Sequence, residues 1–323
     1  TASVKQENVF GTGNFLGIEF NTSKSQQTIS VSTVDPYFTD DGISRALDVF
    51  YRTAQPINSQ GENYKLVTPG ASIRFGVPFS EFDTVYFGVG FERTEIQGNN
   101  NLPDTYFRYR EQFGPKSTAF PFSIGWSRDG RDSALVPTTG RFAKVNIDVS
   151  FLADQRYARA DLQFQQYFTP FRRITLGINA ELGYGKGLGN KPYPIFKNFY
   201  VGGLGSVRGY QQSTLGYSQQ TSPTNTNPVY TGGAKKVVFN AEMIGPFPGA
   251  GYDKTLRMFA FMDAGYAYRE QDPIRLNELR SSYGVGLSWI SPMGPLRFSY
   301  ALPINQQPGD KIQKLQFQIG TSF

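Results

Sequence analysis

"NFYVGGLGSVRGYQQSTLGY" spans residues 198–217 and carries five glycines around one charged side chain, Arg208. A guanidinium is a planar fork of donors suited to carboxylates or phosphates, so this stretch is the first candidate for chemistry. A second glycine-rich stretch, "GYGKGLG" (183–189), holds Lys186. It lacks the Lys-Ser/Thr ending and the following helix of a phosphate loop, and it reads as a strand end and turn. "GGLGSVRG" is followed by no helix and is no dinucleotide fingerprint. "DDG" (40–42) and "DGRD" (129–132) are too short for a Ca²⁺ ligand set and read as turns. The chain has neither cysteine nor histidine. Thiol nucleophiles, disulfides, Ser-His pairs and imidazole metal sites are therefore excluded. No catalytic residue, metal or cofactor is assigned.

The elements that carry these residues have a period of two. In "KLQFQIGTSF", Leu315, Phe317, Ile319 and Phe323 fall on one face, with Lys314, Gln316, Gln318 and Gly320 on the other. "KVNIDVSF", "RADLQFQ", "ITLGINAEL" and "LRFSYA" alternate in the same way. A soluble sandwich also alternates, but these strands are longer than the roughly 5–6 residues usual in soluble sheets. Aromatics also gather near strand ends, as at Tyr37 and Phe38, Tyr167 and Phe168, and Tyr266 and Tyr268, which is the pattern of interfacial girdles. Only a closed barrel leaves no unpaired backbone in lipid. The expected fold is all-β: a transmembrane antiparallel barrel with apolar faces toward lipid and polar faces toward the lumen. About fifteen strands can be placed between 1–9 and 313–323. Bacterial barrels have even numbers, so a sixteenth, first strand is expected outside this chain. The whole of 1–323 reads as one domain. No signal peptide opens it, as expected for a mature chain or an excised piece. The net charge of +6 comes from scattered Lys and Arg. That argues against nucleic acid and fits anionic lipid head groups or lipopolysaccharide.

One connection, 186–233, has no strand pattern, and a loop this long is functional or disordered. Its second half reads as a flexible polar tip. Its first half is too apolar for a free loop and is expected to pack inside the barrel. On pattern alone, Arg208 reads equally as a solvated loop arginine or as a cation held in the lumen.

At these residues a resemblance enters. "TVDPYFTDDGIS" (33–44), "DGRDSALVPTTGRF" (129–142), the tetrad Val207-Arg208-Gly209-Tyr210, "MFAFMDAGYAY" (258–268) and "GVGLSWISPMGPLRFSYALP" (284–303) follow one another as in the BamA family. The terminal Phe323 resembles that family's β-signal, in which Leu315, Phe317, Ile319 and Gly320 would also fall. The arginine tetrad alone is shared with two-partner secretion transporters, and a TamA-type factor is close. "SPMGPLRFSYA" tilts the match toward BamA. The resemblance implies a barrel of the bacterial outer membrane that folds and inserts unfolded outer-membrane proteins through a seam between its first and last strands. It also implies assembly lipoproteins as partners, through periplasmic POTRA modules absent from these residues. No nucleotide is used, and the chain is not expected to be an enzyme. A passive porin is a rival, and an outer-membrane hydrolase is disfavoured for want of histidine. The resemblance further implies that Arg208 lies in the lumen and pairs with Glu242 and Asp263. The alternation agrees, since it turns both carboxylates inward, where they would repel each other without a cation.

Overall fold

The computed structural model describes residues 2–22, 26–54, 64–98, 102–171, 173–219, 228–249, 255–291 and 294–319. In chain order it forms β1 (Ala2–Gln6), β2 (Phe15–Thr22), β3 (Gln26–Asp35), β4 (Ser44–Ala54), β5 (Tyr64–Pro78) and β6 (Asp83–Gly98). Helix α1 (Asp104–Phe113) follows, then β7 (Lys116–Ala119), β8 (Pro121–Asp129), β9 (Gly140–Ser150), β10 (Tyr157–Phe171) and β11 (Ile174–Gly187). Three short strands lie in the long loop: β12 (Gly209–Tyr210), β13 (Tyr217–Gln219) and β14 (Val229–Gly232). The chain ends in β15 (Lys235–Pro246), β16 (Leu256–Tyr268), β17 (Arg280–Ser291), β18 (Gly294–Pro303), β19 (Ile312–Gln313) and β20 (Leu315–Ile319).

One antiparallel sheet runs β1 to β6, β8 to β11, β15 to β18 and β20, with β7 also paired to β6. β7 and β8 lie end to end along β6, parted at Phe120, so the wall has the fifteen places expected. Alternation explains the strands. On β16, Met258 and Met262 are exposed while Phe259, Phe261 and Asp263 are buried. On β15, Phe239, Ala241 and Met243 are exposed around half-buried Glu242.

The same inward face meets one loop at distant strands. Lys197 pairs with Glu92 on β6, Phe199 lies beneath Arg159 of β10, and Arg208 reaches Asp263 on β16. Gly209 meets Gln316 on β20. The sheet is thus curled around the loop. One apolar cluster lies not within the wall but between loop and wall, where Val201, Val207, Tyr210 and Leu215 pack on Val238 and Ala267.

Two expectations need correction. The connection between β6 and β7 is a second long one and carries α1, whose Tyr106 and Tyr109 pack with Ile96 and Leu102. The segment 186–233 is also not patternless. β12 pairs with β19 and β13 with β14, because backbone groups inside a barrel must find partners. The tip residues 220–227 lie outside the described residues.

Lumen glycines make room for rings on neighbouring strands. Gly70 sits opposite Phe50, and a Cβ there would lie 2.4 Å from the Phe50 ring. Gly70→Val is expected to destabilise the barrel by about 1–3 kcal/mol through overpacking. The temperature at which the folded gel band converts to the unfolded one should fall, and Phe50→Ala in the same chain should restore part of it. An unchanged conversion temperature in Gly70→Val would refute the packing argument.

Candidate functional site

The loop presents Arg208 through a tight local fold. Gly202 and Gly203 have φ of +114° and +94°, a region open chiefly to glycine. The Gly202 N–H donates to Ser206 Oγ at 2.7 Å, and the Gly203 N–H donates to the Val207 carbonyl at 3.0 Å. Val207 is fully buried against Gly265 of β16, where a Cβ would stand 2.9 Å from Val207 Cγ2. Gly209 has φ +89°, and a Cβ on it would come within 3.0 Å of Ala301. This is why the charge lies among glycines: the backbone itself passes against the wall.

Arg208 is 4% exposed and Asp263 0%. Arg208 Nε and Nη2 donate to Asp263 Oδ2 and Oδ1 at 2.7 and 2.6 Å, a bidentate fork. The Arg208 main-chain N–H donates to Oδ2 at 3.0 Å. Nη1 donates to Glu242 Oε1 at 2.5 Å, and Arg297 Nη2 donates to the same oxygen at 2.5 Å. Asn240 Nδ2 donates to Asp263 Oδ1 at 2.8 Å and to the Ser206 carbonyl at 2.6 Å. The guanidinium carbon of Arg208 lies 3.6 Å from the Phe261 ring centroid, a cation–π contact strengthened by burial. Two cations face two anions within this hydrogen-bonded cluster. The carboxylates are occupied by donors from loop and wall, an arrangement suited to holding a segment in place.

The Omp85 superfamily domain matches residues 8–323. The chain belongs to the Omp85 superfamily. The outer membrane protein assembly factor BamA of Neisseria meningitidis is 35% identical over an alignment of 359 residues, covering all of this chain and 45% of that protein. The BamA of Nitratidesulfovibrio vulgaris is 26% identical across the whole chain and 40% of its own length. The chain therefore spans less than half the length of these curated relatives. The crystal structure of Haemophilus ducreyi BamA lacking POTRA domains 1–3 superposes with a TM-score of 0.85 at 25% identity, covering 98% of this chain and 65% of that one. This Omp85 chain is a β-barrel of the bacterial outer membrane.

The Omp85 barrel thus brings Arg208, Glu242 and Asp263 together, with Val207 and Tyr210 fully buried beside them. The Tyr210 hydroxyl donates to the Ser281 carbonyl at 3.3 Å. Of the β-signal residues, Leu315 and Phe317 are exposed on the lipid side. Ile319 pairs with Leu296 through the backbone. Gly320 and Phe323 lie outside the described residues. Sequence reasoning missed Arg297, Asn240, Phe261 and Gln316. Arg297 of β18 reaches Glu242 of β15 across both β17 and β16, and its guanidinium lies 4.4 Å from the ring centroid of Phe259 on β16. No local motif signals such a reach, but the inward parity of Arg297 and Gln316 was readable from the alternation.

Proposed function

We propose that this barrel is the membrane part of an assembly factor that folds and inserts unfolded outer-membrane proteins, with Arg208, Glu242 and Asp263 locking the loop in the lumen. The carrying observation is the last strand. Among the described residues β20 pairs along the wall with β18 and has no wall partner on its other side. A free strand edge is a template for a new strand, and β-augmentation at this seam lets an incoming segment satisfy its backbone before entering lipid. The names of the BamA relatives support the reading, and the likeness to those chains exceeds that to CdiB of Acinetobacter baumannii. That likeness, a TM-score of 0.61 at 12% identity, is one of fold. The lipid bilayer and lipopolysaccharide are the surroundings. Assembly lipoproteins are the proposed helpers, through POTRA modules of the kind named in the solved relative.

The test is the rate at which a urea-unfolded outer-membrane protein becomes protease-resistant in liposomes holding the full-length protein and its lipoproteins. Marked acceleration over empty liposomes is expected. Equal rates with steady ion conductance would favour a porin. Passage of one polypeptide into the liposome interior would favour two-partner secretion.

A further inference from the structure

The loop that carries Arg208 also grips the last strand, and one side chain makes the grip. Gln316 is the second residue of β20, faces the lumen and is 4% exposed. Its Oε1 accepts the Gly209 N–H at 3.2 Å, and its Nε2 donates to the Tyr210 carbonyl at 2.7 Å. These are the two residues that follow Arg208. The Oγ of Ser299, opposite it on β18, makes no hydrogen bond among the described residues, so Gln316 is tied to the loop rather than to that neighbour.

The backbone extends this contact. Gly209 pairs with Gln313 and Tyr210 with Ile312, and the Gln211 N–H donates to the Lys311 carbonyl at 2.8 Å. The segment leading into β20 is therefore held by the loop as well as by the wall. The described part of β20 pairs with β18 from Leu296↔Ile319 to Tyr300↔Leu315. Two side-chain bonds to buried backbone groups add materially to that attachment.

We infer that Gln316 is the positioning residue through which the Arg208 loop holds the last strand, so that loop release and loosening of the seam are one coupled event. This rests on the seam reading above for its functional meaning, while the coupling itself stands on geometry. If the loop withdraws, Gln316 loses both partners, and the described part of β20 is left with its ladder to β18 and the adjoining Ala301 N–H to Lys314 carbonyl bond. Coupling is reciprocal. Loosening β20 must therefore loosen the loop, because the Gly209 N–H and the Tyr210 carbonyl then lose their partners in a buried site.

The test is hydrogen exchange in the full-length protein in lipid nanodiscs, read at 315–319 and at 207–211. Gln316→Met keeps side-chain length and removes both polar atoms. It is expected to speed exchange about tenfold in both segments, with β9 and β10 unchanged. Gln316→Glu keeps the acceptor for Gly209 and loses the donor to Tyr210, and should give a smaller rise in both; it serves if the Met variant folds poorly. Faster exchange at 315–319 alone would overturn the coupling, since a purely local role in β20 predicts that result. No change in either segment would overturn it as well. The assembly assay, run on the same samples, separates the two ideas. A wild-type protein that fails to accelerate assembly sinks the insertase reading, while the exchange data still decide the clamp.

Discussion

Arg208→Ala should cost about 3–5 kcal/mol of barrel stability, the range for breaking one side of a buried ion pair. The reason is what remains behind. Asp263, with no exposed surface, loses the fork from Nε and Nη2 and keeps only the main-chain N–H and Asn240. Glu242 keeps Arg297 but loses Nη1. A buried carboxylate without its cation is the expensive product. The loop should then leave the wall in a sizeable fraction of molecules, and protease should cut within 198–217, which the folded protein shields. Arg208→Lys should fall between the two. An ammonium supplies charge but not the planar fork, so it can serve Asp263 or Glu242 but not both with the same geometry. The measurements are the conversion temperature of the folded gel band and the rate of loop cleavage. Ala and wild-type proteins that match in both would show that the cluster does not hold the loop.

The wall was legible because a barrel in lipid writes its two faces directly into alternate residues. Met258 and Met262 against Asp263, or Phe239 and Met243 against Glu242, need no tertiary knowledge to sort. Helix α1 was not legible. Its Tyr106, Tyr109 and Phe113 have helical spacing, but in a chain with 28 Phe and 19 Tyr such a stripe is submerged among aromatic strands. The candidate site divided in the same way. The inward direction of Glu242 and Asp263 followed from parity, and their pairing with Arg208 from resemblance. Arg297 and Gln316 needed the register of the sheet. Arg297 acts across β16 and β17, and Gln316 binds backbone atoms 107 and 106 positions away in the chain. Hydrogen bonds to a main chain leave no residue-type signature in their partner.

Asp263→Leu should be more damaging than the double variant Arg208→Met/Asp263→Leu, although the double variant removes more native interactions. In the single variant, Arg208 is buried with Glu242 as its one remaining anion, and Glu242 is already shared with Arg297. Two guanidinia then converge on one carboxylate, and a net positive charge is left in a site where Arg208 is 4% exposed. Replacing both partners by apolar residues removes that orphan, and such exchanges of whole buried pairs are often close to neutral. Phe259, Phe261 and Val207 line the same space, so apolar side chains have surfaces to meet. The remaining Glu242–Arg297 pair is self-balancing. The expected result is therefore a recovery of about 2–3 kcal/mol in the double variant relative to Asp263→Leu, a coupling within the range seen for residues in one network. Conversion temperatures of the four proteins in one cycle would measure it. If the two substitutions simply add, Arg208 and Asp263 are not energetically paired, whatever their distance. If stability recovers but the loop no longer follows β20 in hydrogen exchange, the ion pair sets the loop's register rather than the barrel's stability. The directional fork would then be the reason for charges where apolar packing would hold equally well.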